Sequence, residues 1–168
     1  MLSFTGSGPV GWGICEAVPR KHVTLELGGN AAVVVASDYE DLAWAARRIA
    51  TFSMYQAGQS CVAVQRVLCV PERYDELREH IVDQVRLLRT GDPAHPATDV
   101  GPLIDDAAAK RVQAWVDEAV AAGGRLLCGG RLRAVLMLLP SLRTFPSAAP
   151  CLRTRSLVPF SCCNEPRP

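Results

Sequence analysis

The 168-residue chain is 49% hydrophobic and 21% charged, which supplies both a core and a solvated surface. Its net charge of +1, with acids and bases interleaved, predicts neither a nucleic-acid nor an anionic-membrane partner. No run approaches the roughly 18 apolar residues needed to span a bilayer, and no basic-then-apolar leader opens the chain. The default expectation is therefore the cytoplasm.

In chain order, Phe4-Thr5-Gly6-Ser7-Gly8-Pro9 reads as a Gly-rich turn that opens a short helix over Val10 to Val18. Pro19-Arg20-Lys21 breaks it. Val23 to Leu27 alternates like a strand, Gly28-Gly29-Asn30 turns, and Ala31 to Ala36 is an apolar run suited to a strand buried on both faces of a parallel sheet. Ser37-Asp38 is placed to cap a helix over about Tyr39 to Tyr55, with Leu42, Ala45, Ala46 and Ile49 on one face. After Gly58-Gln59-Ser60-Cys61, the valine-rich segment from Val62 to Val70 reads as a strand. Pro71 starts a helix to about Leu88. Gly91 to Pro102 is loop, Ile104 to Ala122 a helix ended by Gly123-Gly124, and Arg125 to Cys128 a short strand. Strands alternating with helices predict an α/β fold with a parallel sheet.

The seven cysteines form no CxxC pair, so no metal site is expected. An odd count without an export signal argues against a disulfide framework. Cys61 has a distinct context: it follows a glycine turn between a helix and a strand, where a substrate can reach it. A thiolate there attacks a carbonyl. Glu26 ends an apolar strand, and partial burial would tune a carboxylate toward general-base work. Taken singly, Glu26 reads as readily as a surface or capping residue, and the spacing between the two decides nothing.

Three ordered segments carry more information: Phe4-Thr5-Gly6-Ser7 with Val10-Gly11; Leu25-Glu26-Leu27-Gly28-Gly29-Asn30; and Gly58-Gln59-Ser60-Cys61 with Gln65-Arg66. Together, and with Asp99-Val100-Gly101-Pro102-Leu103 after them, they resemble the NAD(P)-dependent aldehyde dehydrogenase superfamily over about residues 1 to 130. The resemblance implies that Cys61 is the nucleophile, with its backbone N–H in the oxyanion hole, and that Glu26 is the base for deacylation. It implies that Leu27 and Gly28 approach the nicotinamide. Gly6 and Ser7 would meet the dinucleotide's pyrophosphate at a helix N-terminus, with Gly11 as that helix's close-packing glycine. NAD or NADP is the implied cofactor, a small aldehyde the implied substrate, and a homo-oligomer the implied assembly. Val23 to Val35 and Tyr55 to Arg66 look closest to relatives acting on semialdehydes or lactaldehyde.

On this reading residues 1–27 are a remnant of a Rossmann-like cofactor domain and residues 28–130 part of the catalytic domain. Family members carry, before the Phe-Thr-Gly-Ser motif, most of the dinucleotide-binding sheet, a ribose-contacting lysine and an asparagine that completes the oxyanion hole. The 168-residue chain alone is thus expected to be inactive, since its site is not preorganised. A non-catalytic gene remnant, a fragment docking on intact subunits, or a residual thiol esterase using Cys61 and Glu26 are the alternatives.

Residues 131–168 read differently. They are rich in proline and arginine, with Glu165 as the sole acid, and show no element of convincing length. The composition predicts disorder. Read in a shifted frame with permitted codons, Met137 to Pro146 yields Ala-Pro-Thr-Val-Leu-Ala-Asp-Val-Pro. Arg153 to Cys163 likewise yields Asp-Glu-Val-Phe-Gly-Pro-Val-Leu-Leu-Leu. Both resemble family motifs expected in that order, so the tail reads as out of frame after a one-base slip between about Gly130 and Met137. No chemistry is assigned to it, the Cys162-Cys163 pair included.

Overall fold

The computed structural model describes residues 1–121 and 124–129, together with the backbone of four short strands farther on. The chain runs β1 (Leu2–Gly6), α1 (Gly8–Ala17), β2 (Val23–Leu27), β3 (Ala31–Val35), α2 (Leu42–Met54), a 3-10 turn (Tyr55–Gly58), β4 (Val64–Cys69), α3 (Pro71–Leu87) and α4 (Asp106–Ala121). The later strands are β5 (Arg131–Arg133), β6 (Leu136–Leu138), β7 (Leu142–Phe145) and β8 (Arg155–Pro159). The α/β class expected from the alternation of elements is what the structure has.

Two parallel pairs organise the molecule. β1 pairs β2 from Leu2↔Val23 to Gly6↔Leu27, with α1 as the crossover between them. β3 pairs β4 from Ala31↔Val64 to Val35↔Cys69, with a register shift after Ala31, and α2 is that crossover. β8 runs antiparallel to β4 and β7 antiparallel to β8, while β5 and β6 form a separate hairpin. Gly28-Gly29-Asn30 carries the chain from the first sheet into the second.

The core lies between β3–β4 and the pair of helices α2 and α3 packed against each other. Ala46, Ile49 and Ala50 of α2 meet Leu77, Ile81 and Val85 of α3 over Val67 and Cys69 of β4. A satellite cluster of Leu103, Ala108, Ala109 and Val112 seats α4. α2 is amphipathic at helical spacing, and α3 begins on Pro71, whose missing N–H costs a first-turn position nothing.

Several expectations are corrected. Leu2–Gly6 is a strand rather than the start of a turn, because a second strand, β2, lies beside it to complete its ladder. β3 is covered on one face only: Ala32 is exposed and Val34 is 71% exposed, since α2 and α3 occupy one side and no described residues cover the other. The α2 cap is Asp41, not Ser37 or Asp38; its Oδ1 accepts from the Trp44 N–H at 2.8 Å. Arg125 to Cys128 has no ladder, and Leu127 and Cys128 pack against the core instead. In 131–159, where no element of convincing length was expected, stand strands of only three to five residues. Cys162 and Cys163 lie outside the described residues. Among the described residues, no helix is long and apolar enough to cross a membrane.

Candidate active site

Cys61 sits in the turn between the 3-10 segment and β4, with its side chain exposed. The turn before it is wound left-handed: Gln56 has φ 51°, Ala57 φ 57° and Gly58 φ 76°. Only Gly58 adopts that conformation without a Cβ penalty; the other two cost on the order of 1–2 kcal/mol each. Local hydrogen bonds hold the turn against that strain. The Gln59 N–H and the Gln59 side-chain Nε2 both donate to the Gln56 carbonyl, each at 3.1 Å. Gln59 Oε1 accepts from the Ile104 N–H at 3.0 Å, tying the turn to the loop that leads into α4. Ala63 N–H closes the next turn on the Ser60 carbonyl at 3.0 Å.

Glu26 lies on β2, whose residues alternate between half-buried Val23, Leu25, Leu27 and exposed Thr24, Glu26. The carboxylate is on the exposed face, opposite Thr5 of β1. The burial expected for it is absent in this chain, because α1 packs only on the other face of β2 and β1 lies edge to edge beside it. The strand ends at Leu27, and exposed Gly28 leads to Gly29. There the two motifs meet. A Cβ placed on Gly29 would lie 2.5 Å from the Cys61 carbonyl oxygen, closer than real Cβ atoms approach. Glycine at 29 is what lets the segment carrying Glu26 pass against the backbone of Cys61. A second tie lies nearby: Arg66 Nη2 donates to the Asn30 carbonyl at 2.9 Å.

The N-terminal motif forms a third part. Ser7 is the N-cap residue of α1, with extended backbone and no side-chain capping bond. No acid stands in the helix's first turn, and a Cβ on Gly8 would meet nothing within 4 Å. Gly11 is buried on α1; a Cβ there would come within 2.7 Å of Leu27 Cδ2, so helix and strand touch at that glycine. Among the described residues, no group of three or more His, Cys, Asp or Glu could hold a metal ion.

Two features were not foreseen. The side-chain bridge made by Gln59 lies inside a motif already singled out, but of its two partners Gln56 is local and Ile104 is brought near only by the fold. Gln65 is 0% exposed, and neither polar atom of its amide has a partner among the described residues. The hydrophobic pattern of β4 gave no signal of a buried amide.

The aldehyde dehydrogenase family model matches residues 1–139. This chain belongs to the aldehyde dehydrogenase family. It is 41% identical over 129 residues to a putative aldehyde-dehydrogenase-like protein, y4uC, of Sinorhizobium fredii, covering 77% of this chain and 25% of that protein. It is 35% identical over 167 residues to a lactaldehyde dehydrogenase of Methanococcus maripaludis, covering 93% of this chain and 36% of that one. Among solved structures, it is similar to aldehyde dehydrogenase 21 of Physcomitrella patens in complex with succinate, with a TM-score of 0.76 and 40% identity over 83% of this chain and 29% of that one. It is also similar to the NADP complex of a glyceraldehyde-3-phosphate dehydrogenase of Methanocaldococcus jannaschii, with a TM-score of 0.79 and 36% identity over 83% and 30%. The chain thus spans between a quarter and about a third of the length of these relatives.

Proposed function

We propose that this chain is the nucleophile-bearing segment of an enzyme that oxidises a small aldehyde to a carboxylic acid with NAD or NADP. The observation that carries the reading is the contact of Gly29 with the Cys61 carbonyl, which puts the Glu26 strand end beside the cysteine turn. The Cys61 thiolate adds to the aldehyde carbon, giving a thiohemiacetal whose oxyanion the Cys61 N–H stabilises. A bound dinucleotide would supply the hydride acceptor that oxidation of this adduct to a thioester requires. Glu26 takes a proton from water as its oxygen attacks the thioester carbon, releasing the acid and restoring the thiol. Gly6, Ser7 and Gly8 fit a pyrophosphate at the start of α1, since the uncapped hydroxyl and the bare glycine leave the N–H groups approachable. Gly11 keeps α1 against Leu27, and Leu27 with Gly28 would face the nicotinamide.

The substrate class follows from relatives named for lactaldehyde, aspartate semialdehyde and succinate semialdehyde. A cytoplasmic homo-oligomer, free of membrane and nucleic acid, belongs to the same reading. So do a cofactor-domain portion in residues 1–27, a catalytic-domain portion in residues 28–130, and a tail from 131 onward that is out of frame. The nucleotide sequence between the codons of Gly130 and Met137 tests the last point: a one-base shift there opens the family motifs or it does not.

The catalytic assignment is tested in a chimera. Residues 1–130 replace the matching segment of the Methanococcus maripaludis lactaldehyde dehydrogenase, and NAD(P)H formation is followed with lactaldehyde and succinate semialdehyde. Turnover is expected, with total loss in Cys61→Ala. Glu26→Gln should retain a single burst of NAD(P)H and lose steady turnover, because acylation survives and deacylation does not. Undiminished turnover in Cys61→Ala would refute the assignment. The 168-residue chain alone should give no NAD(P)H.

A further inference from the structure

We infer that Gln59 is the positioning residue of this site: its side-chain amide fixes the strained turn that aims the Cys61 backbone N–H. This rests on the reading of Cys61 as nucleophile. The left-handed run over Gln56, Ala57 and Gly58 is costly for its two non-glycine members, and such a run persists only where the surroundings over-determine it. The half-buried Gln59 supplies that constraint from both ends of its amide. Nε2 holds the Gln56 carbonyl, which already accepts the Gln59 N–H. Oε1 holds the Ile104 N–H across a long stretch of chain, and Leu103 beside it is buried in the α4 cluster. The turn is therefore anchored to a packed element as well as within its own loop. From the other side, Gly29 abuts the Cys61 carbonyl. The turn before Cys61 is tied by Gln59, the Ser60 carbonyl accepts from the Ala63 N–H, and the Cys61 carbonyl is abutted by Gly29, while the Cys61 side chain stays exposed.

A residue with this role governs reactions that need the backbone donor and spares those that need only the thiol. Acylation by p-nitrophenyl acetate is of the first kind. The Cys61 sulfur bonds to the ester carbon through a tetrahedral oxyanion, the C–O bond breaks, nitrophenolate leaves with the electron pair, and the thiol proton passes to solvent. Alkylation by iodoacetamide is of the second kind: sulfur displaces iodide at a saturated carbon and no oxyanion forms. Removing an entire oxyanion donor costs about 10²–10³-fold in rate; loosening one should cost roughly 10-fold.

The experiment measures both rates at Cys61 in the 168-residue chain by peptide mass spectrometry, with protection of buried Cys69 as the index of folding. Gln59→Ala is expected to slow acylation about 10-fold and to leave Cys61 alkylation within about two-fold. Gln59→Glu, which keeps an acceptor for Ile104 but loses the donor to Gln56, should fall between. Equal slowing of both reactions, or of neither, with Cys69 still protected, overturns the role of Gln59 and leaves Cys61 as nucleophile. If Gln59→Ala exposes Cys69, the Gln59→Glu ratio decides, and a wild-type ratio there also overturns it. A wild-type chain alkylated but never acylated at Cys61 overturns this proposal, because the turn then presents no working backbone donor, and leaves the nucleophile reading to the chimera.

Discussion

The two halves of the site are built on unequal foundations. Cys61 follows a helix that is packed on α3 and β4, where Leu77 and Val67 are 0% exposed and Ile81 is 1% exposed. Glu26 stands on a two-stranded sheet covered by one ten-residue helix, in which Gly11 alone, among residues 2–27, is buried. Every core side chain lies at Val35 or beyond. The nucleophile turn thus has a platform of its own, whereas the base strand depends on contacts at Gly11 and Gly29. Buried apolar area dominates the favourable side of folding. The cysteine half should therefore set the stability of this chain, and the glutamate half should follow it.

The largest test of that contrast is a pair of truncations. Leu77→Ala removes a fully buried side chain from the α2–α3 seam and should cost about 2–5 kcal/mol, enough to abolish a cooperative urea transition. Leu25→Ala, on half-buried β2, should shift the transition far less. Equal effects would mean that the β1–α1–β2 unit carries as much of the stability as the core.

Gly29→Ala attacks the junction between the halves. Its new methyl would sit 2.5 Å from the Cys61 carbonyl oxygen, a backbone atom that cannot swing away. Forced displacement of this kind costs about 1–3 kcal/mol. Hydrogen exchange should quicken at residues 26–30 and 59–63 together, while α3 keeps its protection. Faster exchange in α3 instead would show that the junction is part of the core.

Gly11→Val probes the thin half alone. The clash there is with Leu27 Cδ2 at 2.7 Å, the far end of a flexible side chain, so the strand can yield and the penalty should be smaller than at Gly29. Residues 2–27 are expected to exchange faster and the urea midpoint to hold. A lowered midpoint would tie α1 into the main cooperative unit.

Much of this organisation was legible in the sequence because it is local. The spacing of Leu42, Ala45, Ala46 and Ile49 fixes the buried face of α2, and Pro71 marks the start of α3, since both depend on helical period and backbone chemistry. β1 was hidden because its five residues run straight into Gly6-Ser7-Gly8-Pro9, which carries turn chemistry, and only the pairing with β2, Phe4 opposite Leu25, makes them a strand. Arg125 to Cys128 erred the other way, being apolar but without a neighbouring strand. The motifs around Glu26 and Cys61 were readable as motifs, yet their meeting at Gly29 is a tertiary fact that no spacing encodes. The same holds for Gln59, whose partners Gln56 and Ile104 lie on either side of it in sequence and at very different range.

The smallest expected effect concerns how dry the packed half is. Burial pushes the Cys69 thiol up from its ordinary 9.0, because the interior disfavours the thiolate. Burial does the same to Cys128, with the nearby Arg86 pulling it partly back. The folded state then holds these protons after the unfolded chain has begun to release them. As pH rises through about 9.0, the unfolded state binds fewer protons than the folded one, so stability falls with pH. Below that value both states keep the protons and these thiols make stability flat in pH. The urea midpoint, measured between neutral and alkaline pH, should be level and then decline. In Cys69→Ala the decline should be shallower, since one of the two raised thiols is gone while Cys128 remains. An unchanged slope would mean that water reaches Cys69 in solution and that the seam beneath β4 is looser than its 1% exposure implies.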